Sequence, residues 1–301
     1  MGYLKSTILW IYNNAINLRN KVSYIIYKHQ KTFDIMTPNE TVAEIINNRE
    51  LSISRFGDGE YSLMEGQGTG FQSKDEELGK RLREVLLSDN PNCLVCIPRP
   101  FVNTEQLAPK SSRFWKRYLG LKRRDVLTLT PKNKMFGDAC FSRFYFENKD
   151  YDIESYIKLI KRIWDKKQVF IIEGVYTRFG VGNDLLDNAK EVKRIICPAQ
   201  NAYQKYSEIY NTALNVIPGG SLILIALGMT ATVLAFDLSK SDKHYQAIDI
   251  GHLDIEYECY IRKSNGIIAI PGKAVNEAGQ NCPQDKILDS DYTSSIIKTI
   301  V

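Results

Sequence analysis

Two carboxylates stand two residues apart in the segment Ser54-Arg55-Phe56-Gly57-Asp58-Gly59-Glu60. On an extended backbone alternate side chains point the same way, so Asp58 and Glu60 would converge. Hard oxygen ligands in that arrangement suit Mg²⁺ or Mn²⁺, the usual bridges to a diphosphate. Gly57 and Gly59 let the chain turn sharply and let a ligand approach the backbone. The plain alternative is an acid-glycine turn with solvated carboxylates, and spacing alone leaves both readings open.

Three further segments combine glycine with polar groups. In Glu173-Gly174-Val175-Tyr176-Thr177-Arg178-Phe179-Gly180-Val181-Gly182-Asn183-Asp184, glycines lead into a helix start that would expose amides to an anion, and Arg178 adds a forked phosphate donor. Gly180 and Gly182 lack the third glycine of the dinucleotide fingerprint, because Leu185 takes its place. A glycine-rich connection capped by Asn183 or Asp184 explains the segment equally well. Ala226-Leu227-Gly228-Met229-Thr230 repeats the pattern, with Thr230 as a cap and Gly228 at the turn, serving either a second phosphate contact or an economical turn. Gly251-His252-Leu253-Asp254-Ile255-Glu256-Tyr257-Glu258 places one imidazole among three acids, a set that could include a general base or metal ligands. Neither HExxH nor His-x-His occurs there, which disfavours a zinc hydrolase. The alternative has Leu253, Ile255 and Tyr257 packing while the polar residues face solvent.

Other clusters read more simply. Phe136–Phe146 is rich in aromatics and suits either a stacked sugar or base, or a buried core segment. Lys116–Arg124 reads as a solvated helix end. Cys93-Leu94-Val95-Cys96 has metal-like spacing but lies in an apolar run with no second pair, so the six cysteines read as reduced and buried.

The elements that must position these groups alternate in type. Strands are expected at Leu51–Ser54, Cys93–Ile97, Val126–Leu129, Val169–Ile172, Val192–Cys197, Leu222–Ala226 and Tyr245–Ile250. Helices are expected from Thr37-Pro38-Asn39-Glu40 to about Asn48, and at Glu76–Leu87, Ser111–Leu119, Ile153–Trp164, Asp184–Ala189, Ala202–Leu214 and Thr230–Leu238. Continuously apolar strands such as Leu222–Ala226 belong in sheets covered on both faces. The alternation predicts a doubly wound, mostly parallel α/β sheet, with ligands beyond the carboxyl ends of its strands.

Composition bounds the rest. With 301 residues, 44% hydrophobic and 25% charged, the chain is an ordinary globular protein with a large core. Its 40 basic and 35 acidic residues give +5, yet Lys5, Arg19, Lys21, Lys28 and Lys31 with no acid account for all of it within residues 1–33. The charge belongs to an N-terminal arm, which argues against a nucleic-acid partner. Apolar positions at Leu4, Ile8, Ile11, Ala15, Leu18, Val22 and Ile25 make that arm a basic amphipathic helix, suited to a membrane interface or to docking on protein. No stretch reads as a membrane span or secretory signal, so a cytoplasmic protein is expected.

Taken together, these segments resemble the GT-D glycosyltransferases. The similarity runs in order through Ser54–Glu60, Gly137–Tyr145, Glu173–Ala189, Arg194–Tyr206, Leu222–Leu238, Ala247–Glu258 and Pro271-Gly272-Lys273, about residues 40–280. It implies a Rossmann-like GT-D domain over 36–301, preceded by an arm over 1–35. It further implies metal-dependent transfer of a hexose, glucose favoured, from a UDP-sugar to a protein- or lipid-linked glycan in bacterial surface assembly. The family's Asp-x-Glu motif falls on Asp58 and Glu60, which would hold Mn²⁺ or Mg²⁺. Arg55, Arg178, Gly180, Gly182, Asn183, Gly228 and Thr230 are then expected around the donor. His252, Asp254 and Glu258 are expected to be catalytic, with Glu258 as base if the reaction inverts; which of Asp254, Glu256 and Glu258 does what stays open. Such a role would place the arm, through residues 1–30, at the inner membrane face. Two other classes use the same carboxylates: a metal-dependent phosphohydrolase or nucleotidyltransferase, and a non-catalytic nucleotide-sugar-binding partner.

Overall fold

The structure is a computed structural model that describes residues 33–70, 72–147, 152–280 and 290–300, together with Asn14, Leu18 and Val22 of the arm. Those three arm positions are helical, and Leu18 and Val22 are exposed. The rest of the expected arm helix, and Cys282, lie outside the described residues.

Among the described residues, nine parallel strands form one sheet in the order β1-β4-β3-β2-β8-β7-β5-β6-β9. They are β1 (Asp34–Ile35), β2 (Ser52–Arg55), β3 (Cys93–Ile97), β4 (Met135–Asp138), β5 (Gln168–Gly174), β6 (Glu191–Cys197), β7 (Leu222–Ala226), β8 (Gln246–Asp249) and β9 (Ile296–Thr299). The central strands are apolar on both sides because both faces are covered. One face carries α1 (Pro38–Asn47), α5 (Ile153–Lys161) and α8 (Leu253–Ile261), whose Val42, Ile160 and Tyr257 pack on Ile53, Ile171 and Leu224. The other carries α2 (Asp58–Met64), α3 (Glu76–Leu87), α4 (Pro109–Leu129), α6 (Tyr206–Val216) and α7 (Met229–Ser239). A short α9 (Ser290–Ser295) precedes β9. Cys93 and Cys96 belong to opposite faces of β3 and cannot converge on one ion.

Local signals place most helix starts. Thr37 Oγ1 accepts from the Glu40 amide at 3.2 Å while Glu40 Oε2 accepts from the Thr37 amide at 2.7 Å, a reciprocal cap for α1. Asp75 accepts from the Leu78 amide at 2.9 Å and starts α3. Two expectations fail. Val126–Leu129 is not a strand but the last turn of α4, which runs unbroken because Trp115, Leu119 and Val126 keep one helical face buried until Pro131 stops it. Asp184–Ala189 is a series of turns, since Asn183 caps the Leu185 amide and the Asn188 side chain ties back to Lys161. The short outer strands β1, β4 and β9 give too little pattern to be read. Phe33 is buried, and β1 already pairs with β4, so the sheet begins inside the expected arm. Among the described residues, no helix is long and apolar enough to cross a membrane.

Gly79 sets the seat of α2. A Cβ there would fall 2.7 Å from the Leu63 carbonyl oxygen, because α3 presses directly on the end of α2. Gly79→Ala should therefore cost about 1–3 kcal/mol through overpacking and displace the helix that begins at Asp58. Urea unfolding checks this, and a midpoint equal to that of the native chain refutes the close-approach argument.

Candidate active site

A cleft of about 1110 Å³ lies beyond the carboxyl ends of the strands, as a parallel sheet dictates. Its floor is tied by Arg55, the last residue of β2. Arg55 Nε donates to the Asp249 carbonyl at 3.0 Å and to Asp249 Oδ1 at 3.3 Å, and Nη1 donates to the Ala139 carbonyl at 2.9 Å and Ser142 Oγ at 2.8 Å. One guanidinium thus joins the ends of β2, β8 and β4. Gly251 has φ 51° and lies under it so closely that a Cβ would fall 1.7 Å from Nη2. Arg55 lines the cleft as expected, but its Nε and Nη1 are committed to protein and make it a strut of the floor.

Asp58 and Glu60 both line the cleft, though not on an extended backbone. They occupy the first turn of α2, where side chains two apart diverge. Glu60 Oε2 turns back to accept from the Gly57 amide at 2.6 Å, while the exposed Asp58 carboxylate accepts no hydrogen bond from any described residue. Desolvation first, then the charge of nearby Asp249, pushes the Glu60 carboxyl up to about 7. Beside α2, whose Gly59 lies against the Met229 side chain, Gly228 (φ 55°) lines the cleft, precedes α7 and presents its first amides, which have no partner within the helix. Thr230 lies behind them; its hydroxyl is buried without a hydrogen-bond partner among the described residues.

The other expected donor contacts do not face the cleft. Arg178 has φ 49° and turns away to donate from Nη1 to the Gly272 carbonyl. The Gly180 amide donates to Asp254 Oδ1 at 3.0 Å, and Asn183 Nδ2 donates to Asp254 Oδ1 at 2.9 Å and Glu258 Oε1 at 2.7 Å. Gly182, with φ 78°, is an open turn residue. This loop does bind anions, but they are the protein's own carboxylates. Buried Glu173 anchors its base, accepting from Arg194 Nη1 at 2.6 Å and from the Phe179 amide at 2.7 Å.

The acidic segment is helical, and none of its three acids is solvated. Asp254 and Glu258, one turn apart on α8, converge on buried Lys273, whose Nζ lies 2.6 Å from Asp254 Oδ2 and 3.0 Å from Glu258 Oε1. Glu258 also accepts from Arg262 Nε at 3.1 Å and lies off the cleft wall. Burial pushes its carboxyl up, but Lys273, Asn183 and Arg262 outweigh that and hold it below the ordinary range. Both its oxygens are held by cations, Oε1 by Lys273 and Oε2 by Arg262, which weighs against the role of base expected for it. Asp254 reaches the cleft wall with both oxygens held. His252, just before α8, lines the cleft with a partly exposed imidazole, and its Nε2 lies 3.4 Å from Glu277 Oε2.

Arg143, inconspicuous within the aromatic run, proves central. Glu147, Glu256 and Glu277 all face it, at 3.6, 3.7 and 3.2 Å. One cation cannot balance three carboxylates, so the most buried gives way. Glu256 is pushed up to about 7 by burial, although Arg143 and the Tyr145 and Phe146 amides oppose the shift. Glu277 is held low, since His252 and Arg143 outweigh its desolvation. Asp249, Glu277 and Lys273 carry no motif that marks their roles; only the fold brings them here.

The family model described as the glycosyltransferase GT-D fold matches residues 53–278. The chain belongs to the GT-D glycosyltransferase family. It is 36% identical over 253 residues to the "Probable glycosyl transferase Gly" of Streptococcus gordonii, covering 83% of this chain and 36% of that protein. It is 33% identical over 266 residues to glycosyltransferase GlyD of Streptococcus pneumoniae serotype 4, covering 87% of this chain and 32% of that protein. The chain thus spans about a third of the length of these relatives. Among solved structures it is similar to one described as domain of unknown function 1792 with a distinct glycosyltransferase fold, at 31% identity and TM-score 0.84, covering 95% of this chain and 100% of that one. A glycosyltransferase of the same domain from Streptococcus sanguinis matches at 31% identity and TM-score 0.82, over 89% of this chain and 100% of that one.

The Glu256 environment predicts a pH dependence. The unfolded carboxyl titrates near 4.3, whereas the folded one binds its proton more tightly. Its contribution to stability is therefore full below the unfolded value and is lost as pH rises toward about 7. Glu256→Gln should flatten the fall in urea stability between pH 5 and pH 8 by about 1–3 kcal/mol. Parallel profiles for the two proteins exclude this assignment.

Proposed function

We propose that the cleft transfers a hexose, with glucose favoured, from a UDP-sugar to a protein- or lipid-linked glycan. The observation that carries this reading is the pairing of Asp58 and Glu60 with the start of α7, where Gly228 lines the cleft and the buried Thr230 hydroxyl lacks a partner. Carboxylates beside open helix amides suit a diphosphate accompanied by a cation.

The donor set fits such an ion. Asp58 offers an uncommitted hard carboxylate from the first turn of α2, and Glu60, which diverges from it there, would add the oxygen not held by the Gly57 amide. Among the described residues no three His, Cys, Asp or Glu side chains form a complete cage, so diphosphate and water oxygens would fill the remaining positions. When bound, Mn²⁺ or Mg²⁺ supplies neutralisation of the charge that develops on the leaving diphosphate. The first amides of α7 stabilise the same oxygens. Asp249 and Arg55 keep the floor rigid beneath them.

His252 is the group on the cleft wall best suited to take the acceptor's proton in an inverting transfer. Glu277 faces its Nε2 and would stabilise the imidazolium formed. Asp254 and Glu258 serve this chemistry only by holding α8 in place.

Two measurements test the reading. In a mass-spectrometric donor screen over glycan and lipid-linked acceptors, the native chain should transfer hexose and release UDP, and EDTA should stop both. Asp58→Asn with Glu60→Gln should be inactive; full, chelator-resistant transfer by that variant refutes the metal assignment, and release of phosphate in place of UDP refutes the transferase chemistry. Separately, His252→Gln should lower kcat by about 10²–10⁴-fold with UDP affinity retained. A native kcat in that variant removes His252 as base.

A further inference from the structure

We infer that Phe114 is the stacking platform for the acceptor's pyranose ring. The inference rests on the glycosyltransferase reading above and assigns the outer end of the cleft.

Two neighbouring residues of α4 line the cleft but differ in exposure. Trp115 is buried, its ring 5.8 Å from that of Phe101 and edge-on to it, with Nε1 donating to Glu147 Oε2 at 3.0 Å. Phe114, about 100° further round the helix, lines the cleft and remains 47% exposed. Trp115 meets its ring edge-on at 5.2 Å and Tyr118 lies nearly parallel to it at 6.3 Å. The ring is thus flanked by two aromatics while about half of it is open to solvent.

The surroundings match a sugar better than an apolar ligand. A pyranose has one face of C–H groups and a rim of hydroxyls, so it needs a flat ring with donors and acceptors beside it. Lys110 lies one turn before Phe114 and lines the same cleft. Its Nζ donates to the Asn265 carbonyl at 3.2 Å, and an ammonium has three hydrogens to give. Ser111 completes this edge, with its hydroxyl bonded to Glu147.

Position separates acceptor from donor. Tyr118 lies nearly parallel to Phe101 at 6.3 Å, the ring that also meets Tyr61 of α2 at 5.4 Å, and Lys122 one turn on bonds Glu65 at the end of α2. Phe114 stands one helical turn further out, about 6 Å along the axis. The inner position belongs to the carboxylates and the diphosphate. The outer, solvent-open ring is left for the molecule that arrives from solution.

Saturation-transfer NMR tests this with the methyl glycosides of glucose, galactose and N-acetylglucosamine, in saturating UDP and Mn²⁺. The native chain should saturate the ring C–H protons of at least one glycoside. Phe114→Tyr should retain that affinity, and Phe114→Ala should weaken it about tenfold. Leu121→Ala, an exposed change on the same helix outside the cleft, is the control. The inference is overturned if no methyl glycoside binds the native chain, if Phe114→Ala binds as the native chain does, or if Phe114→Ala loses UDP affinity by the same factor, which would mean that the ring stacks uracil. Failure of the transferase reading is seen independently, as an absence of UDP-sugar turnover in the native chain.

Discussion

A single buried ammonium holds this active site together. Lys273 lies between Asp254 and Glu258 in a space closed to water, with side chains 3% exposed or less. Burying three charges is costly, and the arrangement is stable only because each remaining oxygen is hydrogen-bonded, by the Gly180 amide, Asn183 and Arg262. Three sequence-distant segments are joined as a result: the loop after β5, helix α8, and the turn at Pro271–Lys273. Two further links hold the turn to that loop, from Arg178 Nη1 to the Gly272 carbonyl and from the Ala274 amide to the Tyr176 carbonyl at 2.7 Å. Removing the cation alone would leave Asp254 uncompensated and Glu258 paired only with the partly exposed Arg262.

The same accounting sorts the acids around the cleft into those that build and those that are available. Glu173, Asp254 and Glu258 each have a buried cation within 3.0 Å and amides besides, so their negative charge is already used. Glu256 shares Arg143 with two rivals. Asp249 is bound by Arg55 and by Thr232 Oγ1 at 3.3 Å. Asp58 alone among these is both in the cleft and free of a described hydrogen-bond partner. Glu60 stands beside it with one oxygen committed to Gly57. A chain rich in acids at its strand ends thus offers very few to a ligand.

Much of this architecture is legible in the residues. The parallel sheet follows from runs such as Leu222–Ala226, whose apolarity only a doubly covered strand can bear, and Cys93–Ile97 and Glu76–Leu87 have the expected limits. The location of Asp58, Glu60, Gly228 and His252 on one cleft follows from the rule that ligands meet a parallel sheet at its carboxyl ends. Roles were less legible than places. Gly180, Asn183 and Arg178 have the composition of a phosphate loop, but composition does not say which anion is bound. The partners that claim them lie far along the chain: α8, about 70 residues on, holds Gly180 and Asn183, and Gly272 holds Arg178. Lys273 and Arg143 were hidden for the same reason, since a cation's importance lies in the carboxylates that long-range packing brings to it.

The links at the floor and at the rim differ in kind. Arg55, Lys273 and Glu173 bind the floor through buried, charge-assisted contacts, which hold geometry to fractions of an ångström and resist salt. The rim beside Phe114 is joined to the loop after α8 by one exposed hydrogen bond, Lys110 to Asn265. A bond of that kind exchanges readily with water and adds little stability. Diphosphate chemistry needs fixed groups, because stabilisation of the leaving charge is lost when donors must reorganise. In the proposed transfer, the buried ions thus lie under the diphosphate, and the acceptor is met by an exposed aromatic surface and a loosely held loop.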